Sequence, residues 1–88
     1  MPAPETTTLH LRRIDPARNM ARFYLLSIQP TLFGGASLVR NWGRIGTSGK
    51  AMIETFDEDV GADQAFSRVE RRKRQRGYVG LAANSQRI

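Results

Sequence analysis

Arg40, Trp42 and Arg44 alternate in the stretch Arg40-Asn41-Trp42-Gly43-Arg44-Ile45-Gly46, around the chain's single tryptophan. In an extended strand, alternate side chains point to the same face. Leu38, Arg40, Trp42 and Arg44 therefore share one face, and Val39, Asn41, Gly43 and Ile45 the other. Guanidinium groups pair with phosphate through a planar fork, and an indole stacks on a base or sugar. Such a surface suits a phosphate–sugar backbone. Directly behind it comes Gly46-Thr47-Ser48-Gly49-Lys50. Turn formation is the default reading of Gly46 and Gly49. A glycine-rich turn with a trailing lysine can also hold phosphate, which makes Ser48 and Lys50 secondary candidates. The spacing is not that of a P-loop.

A second cationic stretch, Arg68 to Arg76, carries six of the fourteen Lys and Arg residues. Cations near a helix C-terminus favour the dipole, which accounts for two or three of them. Arg68, Arg71, Arg72, Arg74 and Arg76 are candidates for phosphate contacts. Lys73 lies in line with Phe66 and Val69, so its stem is expected to pack on the body of the domain.

No catalytic constellation is legible. His10 is the chain's one histidine and there is no cysteine, so no zinc site of His and Cys can be assembled. His10 also lacks a nucleophile in any triad arrangement. Asp57, Glu58 and Asp59 read as helix-start caps rather than metal ligands. No cofactor is expected.

Composition bounds the rest. With 88 residues the chain is one domain with a modest core. Its formal charge of +6 and pI near 11.1 favour an anionic polymer as partner, against the alternative that the charge serves only solubility. The N-terminus lacks signal-peptide character, and no apolar run reaches spanning length. Absence of cysteine is compatible with a cytoplasmic setting.

The elements that must position these groups follow from pattern and punctuation. Residues 1–6 read as an unstructured lead. Strands are expected over Thr7–Ile14, Ala21–Gln29 (ended by Pro30), Ala36–Ile45 and Lys50–Phe56. Gly34-Gly35 lies in the turn before the third strand. On the fourth strand both alternating sets contain apolar residues, so the core-facing side stays open. A helix of about five turns opens at Asp57-Glu58-Asp59 and runs to Arg76, with an apolar stripe of Ala62, Ala65, Phe66 and Val69. Gly77 stops it, and Tyr78 folds back onto the sheet. Residues 80–88 read as a tail. The fold class is α+β: an antiparallel sheet of about four strands with one helix packed across it.

The order of these features resembles the WGR domain family, whose name matches Trp42-Gly43-Arg44. The apolar run Phe23-Tyr24-Leu25-Leu26-Ser27-Ile28 fits the family's preceding strand. Leu38-Val39-Arg40, the tripeptide, Ile45 to Lys50, Phe56, Ala65-Phe66, Lys73 and Gly77-Tyr78 follow in sequence. The resemblance covers roughly residues 8 to 80, with the domain placed at 7–79. It implies the same α+β fold and a binding module without catalysis. In the DNA-repair poly(ADP-ribose) polymerases the matching tryptophan packs on the sugar at a DNA 5′ end. The matching arginine links nucleic acid to neighbouring domains. Carried over, Trp42 would touch a sugar and Arg44 nucleic acid; the opposing readings are a core tryptophan and a solvated arginine tied to its own hairpin.

The expected function is nucleic-acid binding, chiefly DNA, through phosphate and sugar contacts with little sequence preference. Duplex ends or nicks are implied by the resemblance. The alternative is a protein-interaction module, as for lone bacterial copies of the domain, and RNA is a third class. A monomer that does not engage membranes is expected.

Overall fold

The computed structural model describes residues 7–32 and 34–80. Its strands are β1 (Thr7–Asp15), β2 (Met20–Pro30), β3 (Ala36–Arg44), β4 (Lys50–Phe56) and β5 (Val79–Gly80), with α1 (Asp59–Gln75) between β4 and β5. They form one antiparallel sheet in the order β4-β3-β2-β1-β5. The first four strands meander, and the helix then carries the chain back across the sheet to the far edge of β1. The expected antiparallel sheet with one helix across it is therefore present, with a fifth strand added. That strand has two residues, too few for any alternation to announce it, and it takes Gly80 from the expected tail. The rest of that tail and the lead lie outside the described residues.

Local punctuation explains the connections. Between β1 and β2 the chain makes a short 3-10 turn, Pro16–Arg18, closed by Asn19 in the left-handed region at φ 52°. Pro30 does not end β2 early. It is the last residue of the strand and pairs with Ala36, a terminal position where a missing N–H matters little.

The helix begins two residues later than expected. The acidic residues before it do not cap through their side chains: Glu58 is the N-cap and makes no side-chain hydrogen bond. Their contribution is confined to the dipole field. The C-terminal end matches the expectation. Gly77 has φ 100°, its N–H donates to the Arg74 carbonyl, and the Tyr78 N–H donates to the Lys73 carbonyl. This paired closure needs a left-handed residue at Gly77 and turns Tyr78 back under the helix.

The registers decide which side of each strand faces α1. Tyr24 stands opposite Leu11 and Trp42, Leu26 opposite Leu9 and Arg40, and Ile28 opposite Leu38. On β4 the even set (Lys50, Met52, Glu54, Phe56) lies on the helix side, opposite Trp42, Arg40, Leu38 and Ala36. Leu11, Leu26 and Leu38, one from each of the three inner strands, are wholly buried. Tyr24, Ala65, Phe66, Val69 and Tyr78 complete the buried core, with Leu9, Ile28, Trp42 and Phe56 packed around it. Among the described residues no helix covers the other face of the sheet. That face carries exposed Ile14, Ile53 and Val79 and half-buried Phe23, Leu25 and Val39.

Candidate nucleic-acid interface

Three transverse rows cross the helix side of the sheet beside the end of α1. The outermost is Arg13, Arg22 and Arg44, each directly opposite the next on β1, β2 and β3. The second is Leu11, Tyr24, Trp42 and Lys50. The third is Leu9, Leu26, Arg40 and Met52. Like charges directly opposite one another destabilise a sheet. Yet the described ion pairs are Arg18 with Asp15, Arg40 with Glu54, and Arg74 with Glu70, and none involves the arginine row or Lys50.

Trp42 is half-buried and rigidly backed. Its indole stacks on the Tyr24 ring, with centroids 5.8 Å apart and planes 15° from parallel. Tyr24 meets Tyr78 edge-on at 6.1 Å. One side of the indole is thus taken by Tyr24, while Lys50 is its cross-strand neighbour on the other. The indole is therefore partly exposed, neither sealed in the core nor freely solvated.

Lys73 closes the cluster from the helix. Its Nζ lies 4.6 Å from the Tyr24 ring centre and 5.8 Å from that of Tyr78. The stem therefore packs on the body as expected. Burial first, then the guanidinium groups of Arg76, Arg72, Arg40 and Arg22, push this ammonium below the ordinary lysine value. Two tyrosine faces attract the cation and act in the opposite sense. Arg13 reaches the same place from β1: a Cβ on Gly77 would lie 3.2 Å from its Nε. Arg40 donates from Nη2 to Glu54 Oε1 at 3.3 Å, and its buried Nε has no hydrogen-bond partner.

Of the sequence-derived candidates, Arg40, Trp42, Arg44, Lys50, Arg72, Lys73 and Arg76 come together at this end. Four others do not. Arg74 donates to Glu70 at 2.9 Å, and Arg68 and Arg71 line a shallow groove along the helix with Asp63, Gln64 and Ser67. Ser48 sits in the hairpin and its carbonyl accepts from Asn41 Nδ2. Asn41 also donates to the Lys50 carbonyl at 2.7 Å, while the Thr47 N–H and hydroxyl both donate to the Arg44 carbonyl. These bonds use the hairpin internally. Gly46 and Gly49 supply its positive φ values of 97° and 69°. Gly43 allows the hairpin to close: a Cβ there would stand 2.7 Å from the Gly49 Cα and 3.5 Å from the Phe23 ring. The close approach permitted by this glycine is that of the protein's own backbone.

Arg13 and Arg22 were missed by motif reading. Their parity was visible, since each alternates in step with inward residues of its strand; what was missing was the register that sets them opposite each other and Arg44. Charge is also segregated lengthwise. Asp57, Glu58, Asp59 and Asp63 gather at the start of α1, and Arg72, Lys73, Arg74 and Arg76 at its end, about 25 Å away for this 17-residue helix. The described residues contain no group of three or more His, Asp or Glu placed to hold a metal ion. No described helix is long and apolar enough to cross a membrane.

A sheet covered on one side by a single helix, presenting a fixed aromatic among cations of which Arg13, Arg22, Arg44 and Lys50 form no ion pair among the described residues, defines a small binding module. The WGR domain model matches residues 7–85, and the chain belongs to the WGR domain family, which is often linked to nucleic-acid binding in proteins of the poly(ADP-ribose) polymerase type. The domain is a binding module, not a catalytic one. The chain is also 50% identical over 70 residues to the uncharacterised protein y4dW of Sinorhizobium fredii (strain NBRC 101917 / NGR234). That match covers 80% of this chain and 34% of the relative, so the chain spans about a third of the relative's length. No solved structure matches.

Proposed function

We propose that this chain binds nucleic acid, chiefly duplex DNA at ends or nicks, through phosphate and sugar contacts on the Trp42 face. The observation that carries this reading is the arginine row. Arg13, Arg22 and Arg44 stand opposite one another and form no ion pair among the described residues, next to a half-buried indole. Folding alone gains nothing from that juxtaposition, whereas a polyanion bridging the row removes the repulsion. In this assignment the row and Lys50 meet phosphates, and the free side of Trp42 covers a terminal sugar or base. Arg72, Lys73 and Arg76 supply field from the helix side. Phosphate contacts position a protein without reading sequence.

The test is fluorescence anisotropy with labelled duplex, nicked duplex, single-stranded DNA and RNA at several salt concentrations. With about four phosphate contacts, log K falls against log[salt] with a slope near −3.6 on duplex. Absence of binding at low salt would overturn the reading, as would affinity indifferent to salt. Tighter binding to RNA would reassign the polymer.

A second reading, a protein-interaction module, is favoured by the sheet face that no described helix covers. Ile14, Ile53 and Val79 are exposed there, and a hollow lined by His10, Arg12, Phe23, Leu25, Ile45 and Thr47 opens on it. Loss of a protein complex on Ile53→Lys, with nucleic-acid affinity unchanged, would place partner binding on that face.

A further inference from the structure

The sheet ends differently on its two sides. β5 closes one edge with two residues, whereas β4 leaves the other open along seven. Among the described residues no strand pairs with the outer side of β4. Six of its seven residues are exposed, including Ile53 at 67% and Met52 at 48%. Edge strands are usually blunted by proline, a bulge, brevity or charged side chains. β4 contains no proline, and its register with β3 runs without a skip from Phe56 opposite Ala36 to Lys50 opposite Trp42. It is a regular edge whose outward N–H and C=O groups can accept a strand, and its charged residues, Lys50 and Glu54, deter any strand that does not complement them.

We propose that this edge pairs with β4 of a second copy of the chain, antiparallel and centred on Met52. The strand is self-complementary in that register alone. With Met52 opposite its counterpart, Lys50 faces Glu54 of the copy and Glu54 faces Lys50, while Ala51 and Ile53 face each other twice. Centring on Ile53 instead sets Lys50 against Phe56 and Glu54 against Met52. Centring on Ala51 sets Lys50 against Met52 and Glu54 against Ser48. A shift by one residue turns the helix side of one copy toward the open side of the other. Glu54 has capacity for a second cation, because Arg40 reaches only its Oε1, at 3.3 Å. The two-fold axis stands normal to the sheet, as a self-complementary patch requires. Both helices then lie on one side, and strand spacing and rise put the two indoles roughly 20 Å apart there. An edge contact alone is small, so association is weak and concentration-dependent. This departs from the monomer expected of the sequence, and it does not rest on nucleic-acid binding.

Sedimentation equilibrium of the full chain without nucleic acid, over a concentration series at low salt, tests it. The unsubstituted chain is expected to self-associate. Lys50→Glu and Glu54→Lys each oppose like charges at both ends of the contact, and each alone weakens association about tenfold or more. An equimolar mixture of the two variants restores an opposite-charge pair at each end and associates again. Circular dichroism confirms that each variant is folded. If either is not, hydrogen exchange on the unsubstituted chain replaces it: the outward amides of β4 become slower to exchange as concentration rises. A unsubstituted chain that stays monomeric, a dimer indifferent to both charge reversals, a mixture of folded variants that fails to associate, or exchange on β4 independent of concentration each overturns the proposal.

Discussion

Arg22→Gln distinguishes a charge kept for binding from one kept for folding. Arg22 is the middle member of its row, opposite Arg13 on one side and Arg44 on the other. Opposed cross-strand residues stand ~5 Å apart at Cβ. Two unit charges at about 5 Å in water repel by roughly 0.8 kcal/mol, and exposed guanidinium groups that splay apart feel less. Taking about half a kcal/mol for each of two pairs, the substitution relieves about 1 kcal/mol. For a domain of this size that is a rise in Tm of roughly 4–8 °C at low salt, shrinking as the Debye length contracts. The same variant loses one phosphate contact, so its salt slope on duplex DNA flattens by about 0.9 and its affinity at low salt falls. Thermal melts at two ionic strengths and anisotropy titrations measure both quantities on one preparation. The expected result is a more stable protein that binds less well. A lower Tm with unchanged affinity and slope would mean that Arg22 holds the fold, and the reasoning from opposed charges would be refuted.

Trp42→Ala removes a half-buried indole stacked on Tyr24, so urea denaturation should show a loss of about 2 kcal/mol, less than for a fully buried tryptophan. Trp42→Phe should retain most of that stability while weakening nucleic-acid binding, which separates the ring's two roles. Gly43→Ala drives a Cβ toward the Gly49 Cα and the Phe23 ring, and should cost about 1–3 kcal/mol in the same assay. Lys73 gives the pH dependence. Its native pKa lies below the ordinary 10.5 through burial and then Arg76, Arg72, Arg40 and Arg22. As pH rises through that lowered value the native state sheds this proton while the unfolded chain still holds it. The stability contribution from Lys73 therefore increases up to about the unfolded pKa. Titration of the lysine ammonium by NMR should find it low, and Lys73→Met should remove that slope. A bound polyanion should raise the value; no change on saturation with duplex would count against Lys73 facing the ligand.

Much of the architecture could be read directly from residue types and spacing. Period-two alternation marked β1 and β4, β4 with its observed bounds; an apolar run ended by Pro30 marked β2, the Arg40 to Arg44 signature between glycine turns marked β3, and the Ala62, Ala65, Phe66, Val69 stripe placed the helix. Gly77 marked the stop because only a left-handed residue allows that closure. These are local signals, carried by a few neighbouring residues. β5 escaped because two residues hold no period, and its strand character exists only through pairing with Leu11 and Arg12. The helix-start acids misled because a carboxylate suits the dipole whether or not it forms a cap bond. On β4, side-chain chemistry left the inward face undecided until the pairing with β3 set it.

The sequence by itself determined that Arg40, Trp42 and Arg44 share a face, since two-residue periodicity is a property of any extended chain. It determined also that the chain is strongly basic and that its helix is acidic at one end and cationic at the other. Tertiary structure alone decided which cations become neighbours. Strand register brought Arg13 and Arg22 into line with Arg44, residues 31 and 22 positions apart in the chain for the outer pair and the inner pair. Helix placement then drew Arg72, Lys73 and Arg76 toward that end and left Arg68, Arg71 and Arg74 outside it. Register and packing angle depend on contacts between residues far apart in sequence, so no window along the chain contains them.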